Sequence, residues 1–262
     1  MIFEPVNSVT DLDFYKKVSA QPLLRSMGYL CYMAIVFAVL STFALKLKMG
    51  PVINQSFQWL EREMPTLSYA DGKITSSVPG PKRIQHPNIP EIALMIDTTR
   101  TEPVGFEQMK EANVMAYLTQ GAFYMRESRD GGIRPYDFSK SGAGTRPVTI
   151  DAAFVHNANV VMNRVLYPVA LAVAFVIVIA WKLAASLIYS LLALLLNAAA
   201  KAPLAFGALF SVSVYAQTLA MVFLAASLFL PFPIPGLSLI AFAMTGTYIW
   251  LALKRHSSPV SV

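Results

Sequence analysis

Metal and acid–base chemistry would first be sought at the three histidines and the aspartates of this 262-residue chain. Ligands of one metal must converge on a shared site, and His86, His156 and His256 show no spacing that brings them together. His86 lies in a Pro-rich Gln85-His86-Pro87 loop, His156 on the helix entering an apolar block, and His256 in a short basic run. Asp97, in Ile96-Asp97-Thr98-Thr99, follows a hydrophobic strand, a position that suits a catalytic or phospho-accepting carboxylate. No second acid, lysine or ligand set sits near it, so the stronger reading is a turn in which these side chains bond their own backbone. Gly142-Ala143-Gly144-Thr145 lacks the lysine and the preceding strand of a phosphate cradle and reads as a flexible loop. The phosphate-loop and zinc-helix motifs are missing from the sequence, as is the nucleophile elbow. Cys31 has no second cysteine to pair with and reads as a buried thiol in an apolar helix. The residues therefore predict no catalytic, cofactor or metal site, and a protein that is not an enzyme.

Composition indicates the setting. The chain is 55% hydrophobic and only 14% charged, with a mean hydropathy of +0.52, where soluble domains carry about 25% charged residues. All 15 acids fall between Glu4 and Asp151. From Arg164 to Val262 there are none, and the five basic residues there are Arg164, Lys182, Lys201, Lys254 and Arg255. Ionised groups in hydrocarbon cost several kcal/mol each, so this segment has the composition of a bilayer-embedded bundle. The net charge of +6 sits mainly near the ends of apolar runs, where basic residues set orientation. Nucleic-acid binding is not expected.

The elements follow from apolar runs and breakers. Residues 1–25 are short and polar, without the pattern of a cleaved signal peptide. Residues 26–49 hold a first span, Ser26 to Leu45, about 20 residues long and enough to cross hydrocarbon. Residues 50–160 carry 12 acids and 11 basic residues and form a water-exposed α+β domain between the first and second spans. Val52 to Met64 continues the first helix, with Phe57, Leu60 and Met64 on one stripe, and Pro65 stops it. Asp71-Gly72 predicts a tight hairpin between Thr66–Tyr69 and Lys73–Thr75. Ile89–Thr98 and Val114–Met125 each read as one alternating strand, Ser128–Gly132 as a turn, Ile133–Phe138 as a returning strand and Ser139–Pro147 as a glycine-rich loop. The expected result is a small antiparallel sheet with a helical lead-in. Thr149 or Asp151 caps the next helix.

Residues 161–262 complete a mainly α-helical membrane fold of four transmembrane helices, with five possible. Val169 to Lys201 contains neither Gly nor Pro, which favours one continuous helix over two spans. Trp181 and Lys182 read as its far interface, with Leu183–Ala199 running along or below the membrane against partners. Lys201-Ala202-Pro203 ends it. A third span, Phe206–Leu230, and a fourth, Leu237–Leu253, flank the Pro231–Gly236 turn. Lys254-Arg255-His256 argues for cytoplasmic termini, with residues 50–160 extracytoplasmic, although the basic residues beside the first span are nearly balanced. The spans contain no acid, and proton-coupled carriers normally need an intramembrane carboxylate or charged relay. Lys182, Lys201 and Gln217 are the candidate lipid or partner contacts. The two lysines suit anionic head groups; Ser211, Ser213, Gln217 and Thr218 suit hydrogen bonds between helices.

Asp11-Leu12-Asp13-Phe14-Tyr15 before a span, Met64-Pro65-Thr66-Leu67-Ser68-Tyr69-Ala70-Asp71-Gly72-Lys73-Ile74, Ile96-Asp97-Thr98-Thr99 and the polytopic apolar second half together resemble the DUF1189 family. These are bacterial membrane proteins of uncharacterised function, distantly similar to Yip1-type proteins, and some are named for maltodextrin utilisation from gene neighbourhood. The resemblance implies a bacterial envelope location and supplies no catalytic residues. The expected function is a non-enzymatic accessory or scaffold subunit of an inner-membrane complex, in contact with the bilayer and with other membrane or envelope proteins. The alternative is a transporter component or lipid-handling protein.

Overall fold

The computed structural model describes residues 3–78, 80–127, 132–138, 147–202 and 204–257. In chain order the elements are helices α1 (Glu4–Thr10), α2 (Phe14–Ala20) and α3 (Leu23–Glu63), strands β1 (Leu67–Ala70), β2 (Lys73–Ser76), β3 (Lys82–Gln85) and β4 (Ala93–Asp97), helix α4 (Phe106–Glu111), strands β5 (Ala116–Thr119), β6 (Ala122–Arg126), β7 (Ile133–Asp137) and β8 (Val148–Ile150), and helices α5 (Ala152–Ala200), α6 (Phe206–Ala216), α7 (Thr218–Ser227) and α8 (Leu237–Ser257). Two compact units result, Met1–Lys48 with Leu166–Val262, and Met49–Val165.

The first unit holds the apolar helices. Four stretches among the described residues are long and apolar enough to cross a membrane: Leu23–Glu63, Ala152–Ala200, Phe206–Ser227 and Leu237–His256. Helix α5 is continuous over 49 residues, as the lack of breakers after Pro168 requires. It starts where Asp151 Oδ1 accepts the Phe154 N–H at 2.8 Å, satisfying one of the free donors of the first turn. It ends in a Schellman turn. Lys201 has φ 52°, and the N–H groups of Lys201 and Ala202 return to the carbonyls of Ala198 and Asn197. Pro203 of the expected stop lies outside the described residues.

Three expectations for this unit need correction. Residues 1–25 are not merely a short polar segment; α1 and α2 fold onto α6 and α8. Tyr15 and Val18 are completely buried, Tyr15 Oη donates to the Ser8 carbonyl at 2.9 Å and Tyr248 Oη to the Val9 carbonyl at 3.0 Å. The third apolar run ends at Ser227 rather than Leu230, and it is interrupted at Gln217, where α6 gives way to α7. There the Gln217 Nε2 donates to the Ser213 carbonyl at 3.2 Å and Thr218 Oγ1 to the Tyr215 carbonyl at 2.6 Å. Such local side-chain bonds compete with the helical ladder. Finally, the helix does not leave the other apolar helices at Trp181 and Lys182. Ser186 bonds Gln217, midway along Phe206–Ser227, and the rings of Tyr189 and Phe242 stack at 5.7 Å. Residues 183–199 thus run beside α6 and α8 rather than beyond them.

Coverage of the four apolar stretches differs sharply: the most apolar window of Phe206–Ser227 is 72% buried and that of α5 only 11%. Leu209 through Ala216 are all buried, so α6 is the centre around which the other helices pack.

The second unit contains two sheets, β2-β1-β8 and β3-β4-β5-β6-β7. The Asp71-Gly72 hairpin forms as its chemistry demands, with φ 50° and 75°, the doubly left-handed turn that matches strand twist. The larger sheet departs from the antiparallel expectation because β4 and β5 pair in parallel, joined by a crossover containing α4. The segment expected as a single strand over Val114–Met125 is the antiparallel pair β5–β6. Every residue of β5 is buried, and a strand covered on both faces carries no alternation to mark its end. On one face Val104, Met109, Val114, Tyr117 and Tyr124 form a core. The other gathers Leu67, Ile74, Ile84, Ile96 and Leu118, against which Trp59, Leu60 and Met64 pack. Phe57 of the expected stripe is not among them. Most of the Ser128–Gly132 turn and of the Ser139–Pro147 loop (residues 128–131 and 139–146) lies outside the described residues.

Candidate functional site

The apolar unit contains two polar clusters. The first is built by α1, which begins Glu4-Pro5; proline suits the first turn, where no N–H partner is needed. Glu4 is 6% exposed. Its Oε1 accepts from Arg25 Nη2 at 2.7 Å and its Oε2 from Tyr215 Oη at 2.8 Å. Burial pushes the Glu4 carboxyl up, but the hydrogen bonds from Arg25 and Tyr215 outweigh it and hold the group below its ordinary value. The Tyr215 ring stacks on Tyr29 with centroids 3.9 Å apart, and Tyr29 Oη shares a 2.7 Å bond with Thr218 Oγ1. Beside them Gln21 Nε2 donates to Ser26 Oγ at 2.9 Å, which donates to Ser211 Oγ at 2.8 Å. The apolar stretches themselves contribute no acid after Asp151; α1 brings one in.

The second cluster lies on the α5 side of α6. Gln217, 1% exposed, donates from Nε2 to Ser186 Oγ at 2.8 Å, and Ser186 Oγ donates to the Lys182 carbonyl at 2.7 Å. Ser190 repeats the pattern one turn on. Lys182, Ser186 and Ser190 therefore line one stripe of α5, spaced four residues apart. Lys182 is 8% exposed while its neighbour Trp181 is 70% exposed: the lysine points into the unit and the indole away from it. Among the described residues Lys182 carries no ion pair. The Gln217 Oε1 and Ser213 Oγ atoms are buried without a hydrogen-bond partner. These are an acceptor, a hydroxyl and an ammonium, a set that can hold a polar group or water but offers no nucleophile–base pair.

Of the sequence candidates, then, Lys182 and Gln217 fall on one cluster. Lys201 is exposed at the α5 terminus and does not join them. Glu4 was missed because an isolated acid in a polar leader gives no sign of where its helix will dock; the Glu4-Pro5 helix start was the available signal.

In the second unit the histidines stay apart. His86 is 3% exposed; its Nδ1 accepts the N–H groups of Asn88 and Ile89 at 3.2 and 3.1 Å, leaving Nε2 to donate to Ser56 Oγ at 3.2 Å. His156 Nδ1 lies 3.7 Å from Glu61. In the first unit, His256 Nε2 meets Ser19 Oγ at 2.8 Å. Asp97 makes the turn contacts expected of it, accepting from Thr99 Oγ1 at 2.6 Å and from its N–H at 3.2 Å. No group of three or more His, Cys, Asp or Glu placed to hold a metal occurs among the described residues.

Comparison with curated proteins and with solved structures finds no match. A family model described as a protein of unknown function, DUF1189, matches residues 6–253. With Tyr15, Asp71-Gly72, Asp97 and all but the last turn of the apolar helices inside that match, the chain belongs to the DUF1189 family.

Proposed function

We propose that this protein is a non-enzymatic integral protein of the bacterial inner membrane, an accessory or scaffold subunit of an envelope complex. It binds partners through the charge-rich Met49–Val165 unit and the outer face of α5. The observation that carries this reading is the uncovered stripe of α5: Ile177, Trp181, Ile188, Leu191 and Leu195 are each between 58% and 71% exposed. Their spacing puts them on one side of the helix, opposite Ser186 and Ser190. The stripe is apolar enough for lipid and continuous enough for a partner helix. Both termini face the cytoplasm in this reading, supported by Lys254 and Arg255 just after the fourth apolar stretch. Photo-crosslinkers at Ile188 and Leu195, with Ala193 as the buried control, test it after mild-detergent extraction. A discrete heterologous adduct at the two outer positions supports the scaffold. A monodisperse monomer with no adduct refutes it.

A second reading, transport or lipid handling, draws on the helix break at Gln217 and the buried Lys182. Broken helices with polar atoms at the bundle centre are a transporter device. In this reading Lys182 and Lys201 contact anionic head groups or solute; unchanged lipid binding in Lys182→Ala and Lys201→Ala defeats it.

A further inference from the structure

A slot of about 260 Å³ runs between α3 and α7, lined by Met33, Phe37, Leu40, Met221, Ala225 and Phe229 among others, all of them apolar. Its two walls are ladders of residues three and four apart. Along α3 it extends from Met33 to Leu40, about 10 Å by the helical rise. An all-apolar slot below the roughly 300–1,000 Å³ of pockets that enclose drug-sized ligands, with helical ladders for walls, suits one hydrocarbon chain. At its Leu40 end the rings of Phe43 and Phe229 meet at 6.1 Å. Just past them stands one exposed ammonium group. Lys48 Nζ donates to the Leu230 carbonyl at 2.9 Å, leaving two of its N–H donors free; Lys46 is turned to the α5 side of α3, its Nζ 5.6 Å from the Tyr167 ring centroid. Neither lysine forms an ion pair among the described residues.

From this juxtaposition we propose that the α3/α7 slot holds one acyl chain of an anionic phospholipid whose phosphate sits against Lys48. The proposal rests on the membrane reading above but not on the scaffold role. The slot supplies the chain contacts, and Lys48, at the position where the first apolar run ends, supplies the charge preference. It is distinct from the Lys182 cluster, which faces α5.

The test is native mass spectrometry of the full-length protein, extracted from membranes, stripped by detergent exchange and re-exposed to phosphatidylglycerol or phosphatidylcholine of the same chain length. The wild type retains one phosphatidylglycerol per chain, preferred about fivefold over phosphatidylcholine, the effect of one surface lysine on an anionic lipid. Lys48→Gln removes the preference, and Lys46→Gln, on the α5 side, leaves it unchanged. Ala226→Trp, which fills the slot from an exposed position, removes retention of both lipids; Val222→Phe is the second filling variant if the first does not purify as a single species. Equal retention of the two lipids by the wild type, or unchanged retention in a monodisperse filling variant, overturns the proposal. Recovery of the wild-type chain in the soluble fraction before extraction would instead overturn the membrane reading, and the two failures are told apart at that step.

Discussion

Removing the Glu4 carboxylate perturbs the structure where its chemistry is most exacting. In Glu4→Ala, Tyr215, which is completely buried, loses the partner 2.8 Å from its hydroxyl. An unsatisfied buried hydroxyl costs about 1–3 kcal/mol. The Arg25 bond adds less: the Arg25 side chain is 56% exposed, so water and salt screen that half of the network to about 0–1 kcal/mol. The expected loss is therefore about 1–4 kcal/mol, concentrated in the docking of α1. Reversible unfolding in mixed micelles, followed by a tryptophan or tyrosine signal, measures it. A double-mutant cycle with Tyr215→Phe separates the hydroxyl contact from the rest. Tyr215→Phe costs stability in the wild type but recovers part of the loss in Glu4→Ala, because it removes the buried hydroxyl left without this acceptor. The pH dependence has a fixed sign. The folded Glu4 value lies below the ordinary one, so its contribution is complete above about pH 4.3 and disappears as pH falls through the folded value. A Glu4→Ala change under about 0.5 kcal/mol, the size of a neutral surface substitution, or strictly additive costs in the cycle, would refute the buried-network reasoning.

The helix break, the hairpin and the α5 cap make sharper claims about single residues. Gln217→Leu removes a buried amide oxygen that has no partner but also the donor to Ser186 Oγ, so the two effects offset and stability changes by less than about 1 kcal/mol; a loss above about 2 kcal/mol in the same micelle assay contradicts this. Gly72→Val forces a β-branched residue to φ 75° and costs at least about 1–2 kcal/mol, seen as faster hydrogen exchange across β1 and β2 with the apolar helices unaffected. Asp151→Ala frees the Phe154 N–H and costs about 1 kcal/mol, read as faster exchange in the first turn of α5 alone.

Legibility in the sequence followed the range of the interaction. Asp71-Gly72 and the unbroken run before Lys201 act through neighbouring residues, and the hairpin and the continuous α5 are what those residues dictate. The fold of β5 and β6 was hidden because its information lies in burial on both faces: Ala116-Tyr117-Leu118-Thr119 is all interior, and no period announces the turn at Gln120-Gly121. The apolar unit hid its polar sites differently. Lys182 beside Trp181 has the composition of an interface pair, and composition cannot tell which of two adjacent side chains faces inward. Ser186, four residues on, was the clue, since with Lys182 and Ser190 it makes a polar stripe on an otherwise apolar helix. Glu4 required knowing where a short leader helix docks, which depends on Tyr215 more than two hundred residues away.

Accessibility of the outer face of α5 bears most directly on whether these helices lie in lipid. Single spin labels at Val176→Cys, Ile188→Cys and Leu195→Cys, each in a Cys31→Ser background and reconstituted in vesicles, report collisions with dissolved oxygen and with a water-soluble nickel chelate. The account predicts that the chelate is excluded at all three positions and that oxygen dominates toward the middle of the helix. Free access of the chelate to Ile188 in the folded protein would contradict it.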